Sequence, residues 1–279
     1  MGLWDAVTAL PEDIAKAIMD TISDSLASFI RPQLEAARVL MTANINPYDF
    51  QGLWQVIVGI ISLFYLLIFL IVGLKFVFGS YDTEQRAEAK EWFKKAILLV
   101  ILVNASLLLY SLMLNISSGV AGAIWSDEFE KLFEFENLSA LDITYLGTLA
   151  VAIFLALLTL VVRHMFIIIG VMLFPIGLFL KFIPPTQEYG SVLINLIGAF
   201  AFMNVLDVII LTGVQMFWNE FNYLEAISTL SLIIGFLLIF FANIAFGFIA
   251  IKKAFSTVGV KINVSSLVKT LAGPAIASA

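Results

Sequence analysis

The chain contains no cysteine and only one histidine, His164, among its 279 residues. Without cysteine there are no disulfide bonds and no thiolate metal sites, and a lone histidine leaves no standard zinc or haem ligand set. The glycine-rich loops that cradle nucleotides are missing as well. A Ser-His-acid triad is not credible with a single histidine at the junction of two apolar runs. We therefore expect a protein with no enzymatic activity, no metal and no cofactor.

Charge is scarce too, because charged residues make up 13% of the chain, about half of their usual share. Hydrophobic residues reach 61%, and the mean hydropathy is +1.03. A soluble fold of this length cannot bury that much apolar surface, so lipid must cover part of it. The apolar runs are continuous rather than alternating, which favours helices over a β-barrel. The composition thus predicts an all-α, polytopic protein with multiple passes through the cytoplasmic membrane, and a net charge of −6 argues against a general nucleic-acid coat.

The sequence divides into three parts by composition. Residues 1–50 form an amphipathic N-terminal helical segment, since apolar residues recur there every three or four positions. This segment is predicted either to lie on the membrane surface or to dock against a neighbouring subunit, and Pro32 is predicted to break or restart its helix. Residues 51–251 form the transmembrane helical domain. Residues 252–279 form a basic, amphipathic C-terminal tail that begins with Lys252 and Lys253.

The first two apolar runs of the membrane domain, 53–78 and 96–125, predict a hairpin of two spans joined by a charged elbow. The elbow carries a basic stripe of Arg86, Lys90 and Lys94 at positions i, i+4 and i+8, and Lys95 adds a fourth positive charge next to it. The loop 126–141 after the second span is acidic instead. Because basic loops stay in the cytoplasm, we expect the elbow inside and the acidic loop outside. The basic stripe is explained by anchoring to anionic lipid, and a contact with nucleic acid is the alternative.

The second span carries polar and small residues on one face. They are Asn104, Ser111, Asn115, Ser118 and Gly122, and at about 100° per residue they all lie within about 60° of one another. A face of this composition is unfavourable towards lipid. It predicts either close helix packing or the lining of a hydrated lumen. We name these five residues the polar stripe.

The second half of the membrane domain predicts four more apolar helices, with Arg163-His164 as a junction between two short ones. The runs are 145–162, 165–180, 191–217 and 227–251. Together with the hairpin they give about six spans. Six spans leave the lysine-rich tail outside, whereas the distribution of basic residues favours five. The five-span alternative makes residues 145–183 a single long helix, or a span whose second half is re-entrant.

Asp207 is the one carboxylate deep within an apolar run. An unpaired charge at that depth costs about 2.5–3.5 kcal/mol on insertion scales, so intramembrane ionisable residues usually have a partner. We predict an ion pair between Asp207 and Arg163. The alternatives are a protonated Asp207 bonded to Asn204 or to a backbone carbonyl, and an Asp207 that faces water.

Two segments resemble the TrbL-like membrane proteins of conjugation and type IV secretion systems, most of all the archaeal versions. The first segment runs from Gly73-Leu74-Lys75-Phe76 through Arg86-Ala87-Glu88-Ala89-Lys90 to Leu109-Tyr110, and the second runs from Arg163-His164 through Phe174-Pro175-Ile176-Gly177 to Pro184-Pro185-Thr186. In that family an Arg-x-x-Ala-Lys elbow follows the first span, and a later span has an arginine, a proline-containing stretch and a Pro-Thr break. The similarity covers roughly residues 50–215.

The resemblance implies a non-enzymatic membrane component of a DNA- or protein-translocation channel that acts as a homo-oligomer in the lipid bilayer. It also implies other transfer-apparatus subunits and an ATPase as partners, and it allows a contact with DNA. Two other functions remain open from the residues alone. One is a structural protein that self-assembles into a homo-oligomeric pore or tube, and the other is a small-solute secondary transporter. The transporter would require an internal repeat with interrupted helices, and no clear one is visible.

Overall fold

The computed structural model describes residues 12–42, 45–79, 83–124, 143–221 and 225–257. The regular elements in these ranges are helices: α1 Glu12–Thr42, α2 Gln51–Phe78, α3 Thr83–Asn104, α4 Ser106–Ile124, α5 Ile143–Phe182, α6 Gln187–Phe221 and α7 Glu225–Thr257. Short 3-10 turns, Pro47–Phe50 and Pro184–Thr186, precede α2 and α6. The acidic loop 126–141, the first eleven residues and most of the tail lie outside the described residues, so what was predicted for them stays a prediction.

Five of the described helices are long and apolar enough to cross a membrane. The candidate spans are Pro47–Phe78, Ser106–Ile124, Thr144–Phe182, Pro184–Phe217 and Leu230–Ala254. Large apolar side chains remain on their outer faces, with Leu63 at 76% and Leu66 at 77% exposure. Such surfaces are stable only against lipid or another apolar partner. The predicted all-α, polytopic membrane fold is confirmed.

The prediction of two short spans that meet at Arg163-His164 is wrong. Residues Ile143–Phe182 form one helix of 40 residues, with Pro175 inside it. The helix does not need to end at Arg163 because that side chain finds its partners inside the protein, as described below. With five alternating spans, the elbow, the Pro184–Thr186 turn and Lys252-Lys253 all fall on the same side. The five-span arrangement therefore removes the conflict in the distribution of basic residues.

The second apolar run is divided between α3 and α4 by Ala105, which has a turn conformation. Backbone hydrogen bonds nevertheless continue through this residue. The Ala105 amide donates to the Ile101 carbonyl at 2.9 Å, and the Leu109 amide donates to the Ala105 carbonyl at 2.9 Å. The helix therefore passes through a local irregularity at Ala105 rather than ending there.

The described residues form two compact units, and those of the first lie within the ranges 1–46, 112–168 and 200–246. Its core packs α1 against parts of α5, α6 and α7. The buried row of α1 consists of Ala27, Ile30, Leu34, Ala37 and Met41, which follow the three-four spacing of one helix face. The C-terminal half of the amphipathic segment therefore packs against the other helices of its own unit. Neither predicted role, lying on the membrane surface or docking against a neighbouring subunit, includes this packing.

Pro32 lies inside α1 and does not break it, contrary to the prediction. Its side chain is on the exposed face, opposite the buried row. A proline leaves the carbonyl four residues earlier without its helical donor, and this loss is tolerated on a face where water can replace it. The N-terminal half of α1 keeps Ile14, Ile18 and Ile22 exposed.

The described residues of the second unit lie within the ranges 47–111, 169–199 and 247–279 and include the elbow of the predicted hairpin. Helices α2 and α3 pack side by side, with the Phe93 ring 6.4 Å from that of Phe69 and 6.2 Å from that of Phe76. At the elbow, Lys75 Nζ donates to Glu88 Oε1 at 2.6 Å and lies 4.4 Å from the centre of the Trp92 ring. The hydrogen bond and the charge of Lys75 lower the pKa of the Glu88 carboxyl below its usual value. The side chains of Arg86, Lys90, Lys94 and Lys95 are all exposed.

The sidedness of the hairpin is testable, because the chain has no native cysteine to interfere with labelling. Glu88 lies at the elbow and Gln51 begins α2, and both are exposed. We expect single Glu88→Cys and Gln51→Cys variants to react with a membrane-impermeant thiol reagent from opposite sides, Glu88 from the cytoplasmic one. Labelling of both positions from one side would contradict the hairpin, and labelling of Glu88 from outside would reverse its orientation.

Candidate functional site

A cluster of buried polar side chains lies inside the first unit. Arg163 of α5 is 2% exposed and Asp207 of α6 is fully buried. The Arg163 guanidinium donates through Nη1 to Asp207 Oδ2, so the structure pairs the two residues directly. Asn243 of α7 donates from Nδ2 to the other carboxylate oxygen, Asp207 Oδ1, at 2.7 Å. Both oxygens of Asp207 thus accept from N–H donors, which is the arrangement that an ionised carboxylate requires.

The second nitrogen of the guanidinium connects the cluster to α1. Arg163 Nη2 lies 3.1 Å from the carbonyl oxygen of Leu40 and 3.4 Å from Asn204 Oδ1. Leu40 lies in the last turns of α1 and Asn204 is one turn before Asp207 on α6. One arginine therefore holds together the end of α1, the middle of α5 and the middle of α6, and Asp207 adds α7 through Asn243.

A small cavity adjoins the cluster, with room for about one water molecule. Arg163, His164, Ser118 and Asn204 contribute to its lining, together with Ser117. Ser117 Oγ donates to the Ala201 carbonyl at 2.6 Å and so ties α4 to α6. Polar atoms of five helices or helix ends therefore meet within this unit. In the described ranges, no group of three His, Asp or Glu side chains is placed to hold a metal ion.

The polar stripe is not the face that α3 and α4 bury. Ser111 is buried and Ser118 half-buried, but Asn104, Asn115 and Gly122 are exposed. The buried positions follow an adjacent row: Val103, Leu107, Tyr110, Leu114, Ser117 and Ala121. All five stripe residues directly follow a member of this row, so the stripe is rotated by about 100° from it. A Cβ built on Gly122 would contact nothing within 4 Å. Within one chain, most of the stripe is left on the surface.

Three participants in the cluster were not predicted from the sequence. Asn243 is the only amide side chain in the last apolar span. A single amide in such a span indicates a buried hydrogen-bond partner, so the sequence did contain evidence for its role. Ser117 precedes the stripe residue Ser118, and the helical spacing selects Ser118 rather than Ser117. No sequence pattern indicates that the Leu40 carbonyl accepts a hydrogen bond from Arg163. Every residue has a backbone carbonyl, and only the docking position of α1 brings this one close to Arg163.

The comparisons with known proteins agree with the architecture. The family model described as "TrbL/VirB6 plasmid conjugal transfer like protein" matches residues 2–272, which is nearly the whole chain. Comparison with curated proteins and with solved structures finds no match. The family match extends through all five spans and both units. The chain therefore belongs to the TrbL/VirB6 family of conjugal transfer proteins.

Proposed function

We propose that this chain is the channel-forming, non-enzymatic subunit of a conjugation-type transfer apparatus in the cytoplasmic membrane. Several copies assemble around a lumen through which DNA or protein passes. The other transfer subunits and an ATPase supply the energy and deliver the substrate. The membership in a conjugal transfer family and the five candidate spans support this proposal.

The observation that carries the proposal is the exposed part of the polar stripe. Asn104 and Asn115 present amide side chains on the outer surface of a helix whose other exposed residues include Leu108, Leu112 and Ile116. In a bilayer, amide groups on a helix surface are more stable against water or another protein than against lipid. Assembly of several copies would supply either environment.

The buried cluster gives this assembly a rigid frame. A channel wall must keep its lining helix in position while substrate passes, and helices in lipid have no hydrophobic driving force to hold them together. The Arg163-Asp207 pair and its amide partners connect α1, α5, α6 and α7. The Ser117 hydroxyl attaches α4 to the same frame.

Cysteine accessibility tests the proposal in the assembled protein. Asn115→Cys and Gly122→Cys are compared with Leu112→Cys and Val120→Cys, which are exposed apolar positions on the same helix. If the stripe lines a lumen, a charged thiol reagent modifies the first two variants much faster than the last two. Each variant is first checked for normal DNA transfer between cells.

The same variants distinguish the alternatives. Disulfide cross-links between copies at Asn115 and Gly122, with slow modification by the charged reagent, would identify a closed homo-oligomeric assembly packed through the stripe. Equal, slow modification at all four positions without cross-links would mean that the stripe faces lipid. That result would contradict the channel proposal.

A further inference from the structure

The second unit contains an apolar cavity next to the basic elbow. Its volume is about 270 Å³, and its walls come from α2, α3 and the end of α5 with the double-proline turn. The walls include Phe64, Ile68, Ile71, Leu99, Phe179 and Pro184. A dry apolar cavity of about 150 Å³ already holds a benzene-sized guest, so this one is large enough for a longer hydrocarbon segment. The cavity plays no part in the polar cluster or in the stripe.

One charged side chain, Lys95, contributes to the lining of this otherwise apolar cavity. Lys95 is the last charged residue before the apolar run of the second span, and Ala96, the first residue of that run, also lines the cavity. Trp92 is a further lining residue, and tryptophan is typical of the membrane–water interface. The positions of Trp92, Lys95 and Ala96 therefore put the ammonium group of Lys95 at the level where lipid headgroups meet the hydrocarbon. The apolar walls of the cavity lie on the hydrocarbon side.

The positive charge at this edge is not fully neutralised by the protein. Lys75 is engaged by Glu88, whereas Lys95 makes no ion pair with a carboxylate among the residues that the structure describes. Lys94 precedes Lys95 on α3, Lys181 precedes the lining residue Phe182 at the end of α5, and both lysines are exposed. A ligand that fits must therefore combine a hydrocarbon chain with a negative group at the interface.

We propose that this cavity binds one anionic phospholipid of the surrounding bilayer. An acyl chain occupies the space between Phe64, Leu99 and Phe179, and the headgroup phosphate lies against Lys95. Such a lipid fills the gap between the hairpin and the end of α5, and it makes the packing of this unit depend on anionic lipid. The site is independent of the proposed channel activity.

The experiment uses the full chain in lipid nanodiscs and measures the quenching of Trp92 fluorescence by lipids with brominated acyl chains. Because the chain has five tryptophans, the Trp92 signal is taken as the difference from a Trp92→Phe variant. Brominated phosphatidylglycerol and brominated phosphatidylcholine are compared at the same mole fraction. A single lysine near the headgroups predicts that phosphatidylglycerol associates about fivefold more strongly.

Two substitutions separate the headgroup contact from the chain contact. Lys95→Gln should reduce the fivefold preference to about one, whereas Lys94→Gln, beside it but outside the lining, should leave most of the preference intact. Ala96→Leu adds volume inside the cavity and should weaken quenching by both lipids. Ile68→Phe serves the same purpose at a half-buried lining position, in case the first change disturbs the fold.

Three results would overturn the proposal. Equal quenching by the two lipids in the wild-type protein would remove the anionic specificity. Equal losses in Lys95→Gln and Lys94→Gln would indicate a diffuse basic surface rather than a site. Quenching that is unchanged in Ala96→Leu and Ile68→Phe, or absent in the wild type, would show that no lipid chain enters the cavity.

Discussion

Replacement of Arg163 by glutamine should destabilise the folded protein by about 3–5 kcal/mol, because it leaves the carboxylate of Asp207 buried without its cation. Asp207→Asn should cost a similar amount, since it removes the negative charge and leaves the buried guanidinium with only neutral acceptors. The free energy of unfolding is measured by denaturation in one detergent for all variants. The polar cluster, more than any apolar contact, should then be the most sensitive point of the first unit.

The double variant Arg163→Gln/Asp207→Asn is the decisive member of this series. In the double variant both side chains are neutral, so no buried charge is left without a partner. The double change should therefore lower the free energy of unfolding by clearly less than the sum of the two single changes. Strict additivity would mean that the two residues do not depend on each other.

Arg38→Gln is the matched control for Arg163→Gln. Arg38 also pairs with a carboxylate, Glu35 Oε1 at 2.8 Å, but both side chains are on the surface of α1. Exposed pairs contribute little, so this change should alter the free energy of unfolding by no more than about 1 kcal/mol. If Arg163→Gln were as mild as Arg38→Gln, the cluster would not be the frame of the unit.

The charge and hydropathy of single segments are sufficient to predict part of the fold and part of the candidate site. The long apolar runs predicted spanning helices, and the basic elbow predicted a turn between α2 and α3. The structure likewise places Arg163 against Asp207, because a single carboxylate in an apolar run has few ways to be stabilised. These predictions needed only the chemistry of one segment at a time.

The predictions that failed or stayed incomplete required knowledge of neighbouring helices. The sequence alone predicts that a span ends at Arg163-His164, because it does not show that α1 and α6 supply acceptors for Arg163 at that depth. The spacing of Asn104, Ser111 and Asn115 puts them on one side of a helix, but it does not show the direction in which that side points. Which face of α4 is buried depends on how the whole helix is rotated in the bundle, and the buried row differs from the stripe by only one residue.

The close approach of α5 and α6 at the double-proline turn is the second point of high sensitivity. Gly190 of α6 lies directly against the end of α5. A Cβ built there would be 2.6 Å from the Gly177 carbonyl oxygen and from Lys181 Cα, and closer still to the Lys181 amide nitrogen. These are backbone atoms, so the clash cannot be relieved by a change of rotamer. The turn itself is fixed by Thr186 Oγ1, which donates to the Leu180 carbonyl at 3.0 Å.

Gly190→Ala should therefore lower the free energy of unfolding by about 3 kcal/mol or more, at the upper end of the range for overpacking, because α5 and α6 must separate. Gly177→Ala should cost less, since its Cβ would meet the side chains of Ile194 at 3.1 Å and Leu193 at 3.3 Å, which can adjust. Gly198→Ala, on the same helix with nothing within 4 Å, should be neutral or stabilising by up to about 1 kcal/mol. Unfolding of the three variants in one detergent should follow this order. A Gly190→Ala protein as stable as Gly198→Ala would mean that the two helices do not approach each other at this turn.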